Sequence, residues 1–113
     1  MKTVILQVAS LDEVKKRAAD AFHGHKQDAR ITFASPELLF KLMTGKRWEL
    51  LQMMTGAGPM TIREAARRLA RDVKAVHGDV QALLKCGVLQ KTDDGKIVFP
   101  FDAVRVDVTL RAA

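Results

Sequence analysis

The sequence predicts an α+β fold, on three observations. Residues 61 to 84 read as two short amphipathic helices joined by a tight turn. Asp93-Asp94-Gly95-Lys96 carries a hairpin signal between two β-prone runs, and Thr3 to Val8 is β-branched and apolar.

The chain has 113 residues, enough for one domain with a real core but not for two. With 48% apolar and 28% charged residues, its composition is that of a globular protein rather than a disordered one. The formal net charge of +6 favours polyanionic partners through counterion release and steering, although charge alone is weak evidence for nucleic-acid binding. The single cysteine, Cys86, excludes an internal disulfide and a thiolate-rich zinc site, and fits a reducing cytoplasm. The Met1 to Val8 run is too short for a signal peptide, and no apolar stretch approaches the roughly 20 residues of a membrane span. The expectation is a soluble cytoplasmic protein with no membrane contact.

Along the chain, Thr3 to Val8 is expected to be a strand buried on at least one face. Ser10 then caps a helix of about three turns, with Glu13 completing a capping box and Gly24 marking the end. Arg30 to Ala34 is a second short strand. Ser35-Pro36-Glu37 starts a helix with proline at its first position, and Thr44-Gly45 interrupts it. Lys46 to Met54 resumes as a helix burying Trp48, Leu51 and Met54 or their neighbours, closed by Gly56-Ala57-Gly58-Pro59.

Thr61 reads as an N-cap with Glu64 at N3, a second capping box, and Ile62, Ala65, Ala66 and Leu69 fall on one face at i, i+3, i+4 and i+7. Asp72 caps the next helix. Its stripe of Val73, Val76, Val80, Leu83 and Leu84 ends at Gly87. Val88 to Thr92 and Ile97 to Phe99 are the arms of a hairpin wing. Val104, Val106, Val108 and Leu110 alternate with polar residues as a half-exposed terminal strand.

Winding the residues after Asp72 at about 100° per residue places Lys74, Ala75, Gly78, Gln81, Ala82 and Lys85 opposite the apolar stripe. Such a face fits a major groove. Lys74 and Gln81 offer hydrogen bonds to base edges or phosphates, and Ala75 can touch a thymine methyl. Gly78 costs about 1 kcal/mol against alanine in a helix interior. Close approach of the DNA backbone and a tolerated surface glycine are both open explanations. His77, at the edge of the stripe, is either a packed histidine or a base contact.

On the preceding helix, Glu64 and Arg68 are an i,i+4 pair, best read as a solvated salt bridge. Arg63 and Arg67 are like charges at the same spacing, which an anion would relieve. With Thr61 at the helix start and Arg71 in the turn, they form the candidate phosphate clamp, against the plainer reading of exposed arginines. Lys91 and Lys96 flank the wing tip beside Asp93 and Asp94, so the wing's claim to DNA contact is modest. Lys46 and Arg47 are either backbone contacts or solvated. His23-x-His25 lacks the further ligands of a metal site, and Cys86 reads as a small core residue. No nucleophile-base signature or phosphate loop is present, so neither an enzyme, a cofactor nor a metal is expected.

These residues together resemble the winged helix-turn-helix regulators of the MarR/ArsR-like class over about residues 35 to 100. The similarity rests on Pro59 through Leu69, Arg71 through His77, Asp79-Val80 and Leu83, with the Leu-Leu helix before them and the Asp-Asp-Gly wing after. It implies that the helix from Val73 is a recognition helix, that Asp93 to Lys96 is a wing tip, and that a homodimer is the binding unit. Gly78 departs from the longer polar residue usual in such helices. The expected organisation is a strand-helix-strand extension over 1–34 for dimerisation or partner binding, a winged helix-turn-helix DNA-binding domain over 35–100, and a terminal strand over 101–113.

The function expected is that of a dimeric, sequence-specific binder of double-stranded DNA acting as a transcriptional repressor. On it Lys74, Ala75, His77, Gly78 and Gln81 read bases, and Thr61, Arg63, Arg67 and Arg71 hold phosphates. The alternative is the antitoxin of a toxin-antitoxin pair, with the N-terminal strand-helix-strand or the C-terminal strand as the contact surface for a toxin protein; an exposed edge strand such as Val104 to Leu110 can pair with another chain, its own copy or a partner. The two can coexist.

Overall fold

The computed structural model describes residues 1–9, 15–16 and 29–110. Thr3–Val8 forms β1, whose alternation of β-branched and aliphatic residues is buried on both faces at its centre. That burial belongs to the middle strand of a parallel sheet, which must be covered on each side. Ala29–Phe33 (β2) and Ala103–Asp107 (β5) both pair parallel with β1, giving the order β2-β1-β5. The two end segments, separate in the sequence reading, thus meet in one sheet. Of the helix expected between Ser10 and Gly24, Lys15 and Lys16 are described and are helical, and the rest lies outside the described residues.

One face of the sheet sends Val4 and Leu6 into the core, with Ile31, Phe33, Val104 and Val108 packed beside them. The other carries the buried polar residue Gln7. Its side chain is satisfied on both sides: it donates to Thr32 Oγ1 at 3.1 Å and accepts from Arg30 Nη1 at 2.8 Å.

Four helices are found among the described residues, and their caps follow local chemistry. The first, α1 (Pro36–Leu42), has Ser35 accepting from the Leu38 N–H, with proline at N1 as expected. The second, α2 (Gly45–Met54), is capped by Thr44. Thr61 accepts from the Glu64 N–H to start α3 (Ile62–Leu69), and Asp72 accepts from the Ala75 N–H to start α4 (Val73–Cys86). Between α3 and α4, Ala70 takes a left-handed conformation at φ 52°, and its N–H closes onto the Ala66 and Arg67 carbonyls. Gly87 ends α4 at φ 92°, where a side chain would be strained.

Gln90–Lys91 (β3) and Ile97–Val98 (β4) form a two-stranded antiparallel ribbon around Thr92 to Lys96, with Gly95 at φ 81°. The first arm is shorter than predicted, because the N–H groups of Val88 and Leu89 are both drawn back to the Leu83 carbonyl at the end of α4. Met60, just before α3, exchanges two backbone hydrogen bonds with Ile97, at 2.9 and 2.8 Å. The ribbon is thereby tied to the start of α3. Phe99 and Phe101 meet edge to face at 5.7 Å and lead the chain from the ribbon into β5.

Two residues of the expected apolar stripes are more exposed than the rest. Trp48 is 37% exposed. The stripe of α2 that turns inward is Arg47, Leu50, Leu51 and Met54, at i, i+3, i+4 and i+7, and Trp48 falls beside it. Val73 is 45% exposed, since it opens α4 a turn ahead of Val76, where the core begins. The terminal strand stops at Asp107 rather than Leu110, and it is half-exposed as expected, with Val106 39% exposed because an edge strand has one neighbour to cover it.

No helix among the described residues is long and apolar enough to cross a membrane. No group of three or more histidines, cysteines or carboxylates among them is placed to hold a metal. His23 and His25 lie outside the described residues. Cys86 is half-buried, and its thiol donates to the Leu83 carbonyl.

Candidate nucleic-acid interface

α4 is anchored by Val76, Val80 and Leu83, all with no exposed surface. Burying each such side chain is worth about 1.5 to 3 kcal/mol, so the stripe fixes the helix's rotation. With that rotation set, Lys74, Ala75, His77, Gly78 and Gln81 all lie on the exposed side, with Lys85 continuing the row. His77 is not packed inward. Its Nε2 sits 3.5 Å from Gln81 Nε2, one helical turn away. A Cβ added at Gly78 would meet nothing within 4 Å, so no packing within the chain requires glycine there.

The arginines are distributed differently from a simple clamp. Arg63 is exposed and makes no ion pair among the described residues. Arg67 is held by Glu64 through two hydrogen bonds of 2.7 and 2.6 Å, and Arg68 adds a third at 2.8 Å. Glu64 therefore turns outward to two guanidiniums instead of back to the Thr61 N–H, and the capping box is only half made. These bonds, first from Arg67 and then from Arg68, hold the Glu64 carboxyl down to about 2, and push Arg67 above its ordinary value. Thr61 is exposed, its hydroxyl oxygen engaged by the Glu64 N–H.

Arg71 does not join Arg63 and Arg67. Its side chain is 17% exposed and folded onto Asp79, with Nη2 2.9 Å from Oδ2. Asp79 Oδ1 accepts from Arg47 Nε at 3.0 Å, and Arg47 Nη1 donates to the Leu42 carbonyl at 2.8 Å. One carboxylate on α4 thus holds an arginine from α2 and one from the turn. Arg71 Nη1 is buried with no hydrogen-bond partner among the described residues.

Sequence reasoning left Asp79 unassigned. The signal was an acid on the shoulder of the apolar stripe, on a helix whose other charged residues after Asp72 are basic.

At the ribbon, Lys91 is exposed and Lys96 lies 3.6 Å from Asp94. The Asp94 carboxyl is lowered, first by the Thr92 hydroxyl that donates to it and then by Lys96. A groove opens between the C-terminal half of α4 and β3, lined by Gln81, Lys85, Gln90 and Lys91 among others. Lys85 and Gln90 join the candidate surface here.

A family model described as HVO_A0114 matches residues 42–106. The match runs from the end of α1 to the penultimate residue of β5 and contains every element that bears the candidate surface. No curated protein and no solved structure matches the chain. Since the family model covers more than half of its length, the chain belongs to the HVO_A0114 family.

Proposed function

We propose that the chain is a cytoplasmic, sequence-specific double-stranded-DNA-binding regulator, a winged helix-turn-helix of MarR/ArsR-like kind acting as a dimeric repressor. One observation carries the reading. Val76, Val80 and Leu83 of the α4 stripe are wholly buried, while Lys74, Ala75, His77, Gly78, Gln81 and Lys85 lie together on the opposite, uncovered flank. An α-helix presented this way fits a major groove, and its amide, ammonium and methyl groups match base edges and phosphates.

Three further features support it. Arg63, exposed and unpaired among the described residues, is placed for a phosphate. The ribbon, fixed to α3 through Met60, holds Lys91 as a wing contact. The net charge of +6 favours any polyanion.

Selection from a random duplex library, followed by titration of the enriched sequence at several salt concentrations, tests the proposal. A regulator enriches one motif and loses affinity steeply with salt, with a log-log slope of about −0.9 per phosphate contacted. Absence of any enriched motif removes the reading. Tight capture of a toxin protein by a chain with no motif preference would favour the antitoxin reading.

A further inference from the structure

Strand β5 has a neighbour on one side only. In the order β2-β1-β5 it is an edge, and its other side pairs with no strand among the described residues. The Ala103 N–H points to β1, donating to the Lys2 carbonyl at 3.3 Å. The register Ile5↔Arg105 and Gln7↔Asp107 repeats that orientation, because backbone groups alternate sides along a strand. The N–H and C=O groups of Val104 and Val106 therefore line the open edge, and Val108 follows directly beyond the strand. Unpaired edges with apolar side chains are templates for another strand.

The residues on this edge have a symmetry of their own. Val104-Arg105-Val106-Asp107-Val108 is charge-complementary to its own reverse about Val106. We infer that β5 is a self-complementary interface, on which a second copy of the chain lays its own β5 antiparallel about a two-fold axis at Val106.

In that register Val106 exchanges both backbone hydrogen bonds with the partner's Val106, and Val104 lies opposite the partner's Val108. Arg105 faces the partner's Asp107, twice over by symmetry. An axis at Arg105 would oppose two guanidiniums, and one at Asp107 two carboxylates, both destabilising. Charge thus selects the register that the backbone permits. Within one chain Arg105 Nη2 and Asp107 Oδ2 are 3.6 Å apart and largely exposed, a loose contact that leaves both groups free to engage across the axis. The product is a continuous six-stranded sheet, closed at its centre.

This names the interface of the dimer proposed above, but it rests on self-association and not on DNA binding. Sedimentation velocity on the full chain tests it with Arg105→Asp and Asp107→Arg. Each variant alone places like charges across the axis and is expected to weaken self-association by ~10-fold or more. Mixing the two restores the dimer, because an all-basic β5 then faces an all-acidic one.

Val106→Cys in a Cys86→Ser background provides a second measurement. Paired residues at such an axis have Cα atoms ~5.5 Å apart, within disulfide range, so mild oxidation links two chains at this position. A chain that sediments as a monomer overturns the inference. So does a dimer indifferent to both charge reversals, or a Val106→Cys chain that stays unlinked. A chain that dimerises in this way but binds no duplex removes only the DNA reading, and a monomer that binds a specific duplex removes only the interface.

Discussion

Asp79 Oδ1 accepts a hydrogen bond of 3.0 Å from Arg47 Nε, joining the middle of α4 to the first turn of α2. Arg71 sits against the same carboxylate. Removing the carboxylate leaves two largely buried guanidiniums facing each other. Asp79→Ala is therefore expected to cost about 2 to 3 kcal/mol, below the full value for a deeply buried pair because the site is partly wet. Urea unfolding monitored by circular dichroism checks this. A loss under 0.5 kcal/mol would mean that Asp79 does not hold the two arginines.

Glu64 gives a pH signature. Its folded value of about 2 lies below the ordinary 4.5, so its contribution to stability is present above 4.5 and is lost as pH falls from there towards 2. The stability gap between the wild-type chain and Glu64→Gln is expected to be constant from neutral pH down to about 5 and to close across that window. Thermal melts at several pH values measure it, and a gap unchanged at pH 2 contradicts the assignment.

The same substitution bears on DNA. Glu64→Gln frees the charge on Arg67 and Arg68, and is expected to tighten binding to all duplexes and steepen the salt dependence. Arg63→Ala should do the reverse, flattening the log-log salt slope by about 0.9 while preserving sequence preference. Lys74→Ala should relax sequence preference at one position of the site. Fluorescence anisotropy with matched and scrambled duplexes separates the two, and identical behaviour of Arg63→Ala and Lys74→Ala would abolish the division into phosphate and base contacts.

Gly78 offers a test of approach. With open space around the added methyl, Gly78→Ala should stabilise the chain by about 0.5 to 1 kcal/mol. If the DNA backbone comes close to this point, the same methyl weakens duplex binding while the fold gains. A stabilised variant with unchanged affinity assigns Gly78 to the tolerated surface instead.

Local chemistry was the legible part. Ser35, Thr61, Asp72 and Gly87 act within one turn of themselves, so a short window of sequence contains both cap and partner. The stripe of Val76, Val80 and Leu83 was equally plain, since its 3.6-residue period is a property of the helix itself. What the sequence hid depends on partners remote along the chain. Arg71 looked available for a phosphate because Asp79 and Arg47 come to it only through packing. In sequence Trp48 groups with the apolar residues of its helix, whereas the inward position of α2 went to a charged residue, Arg47, with a partner on another helix. The pairing of β1 with β5 joins Thr3 to Ala103, and no short window of sequence contains both.

That pairing sets an order of events during synthesis. β1 leaves the ribosome before any of the described helices and its β5 partner follows all of them, so the unit from α1 to β4 can collapse on local contacts while one flank of β1 waits. The sheet is sealed last. Through that interval the nascent chain carries an aliphatic ribbon, Val4 to Leu6, in search of a mate, and chaperone dependence of the newborn protein should track how long translation between α4 and β5 takes.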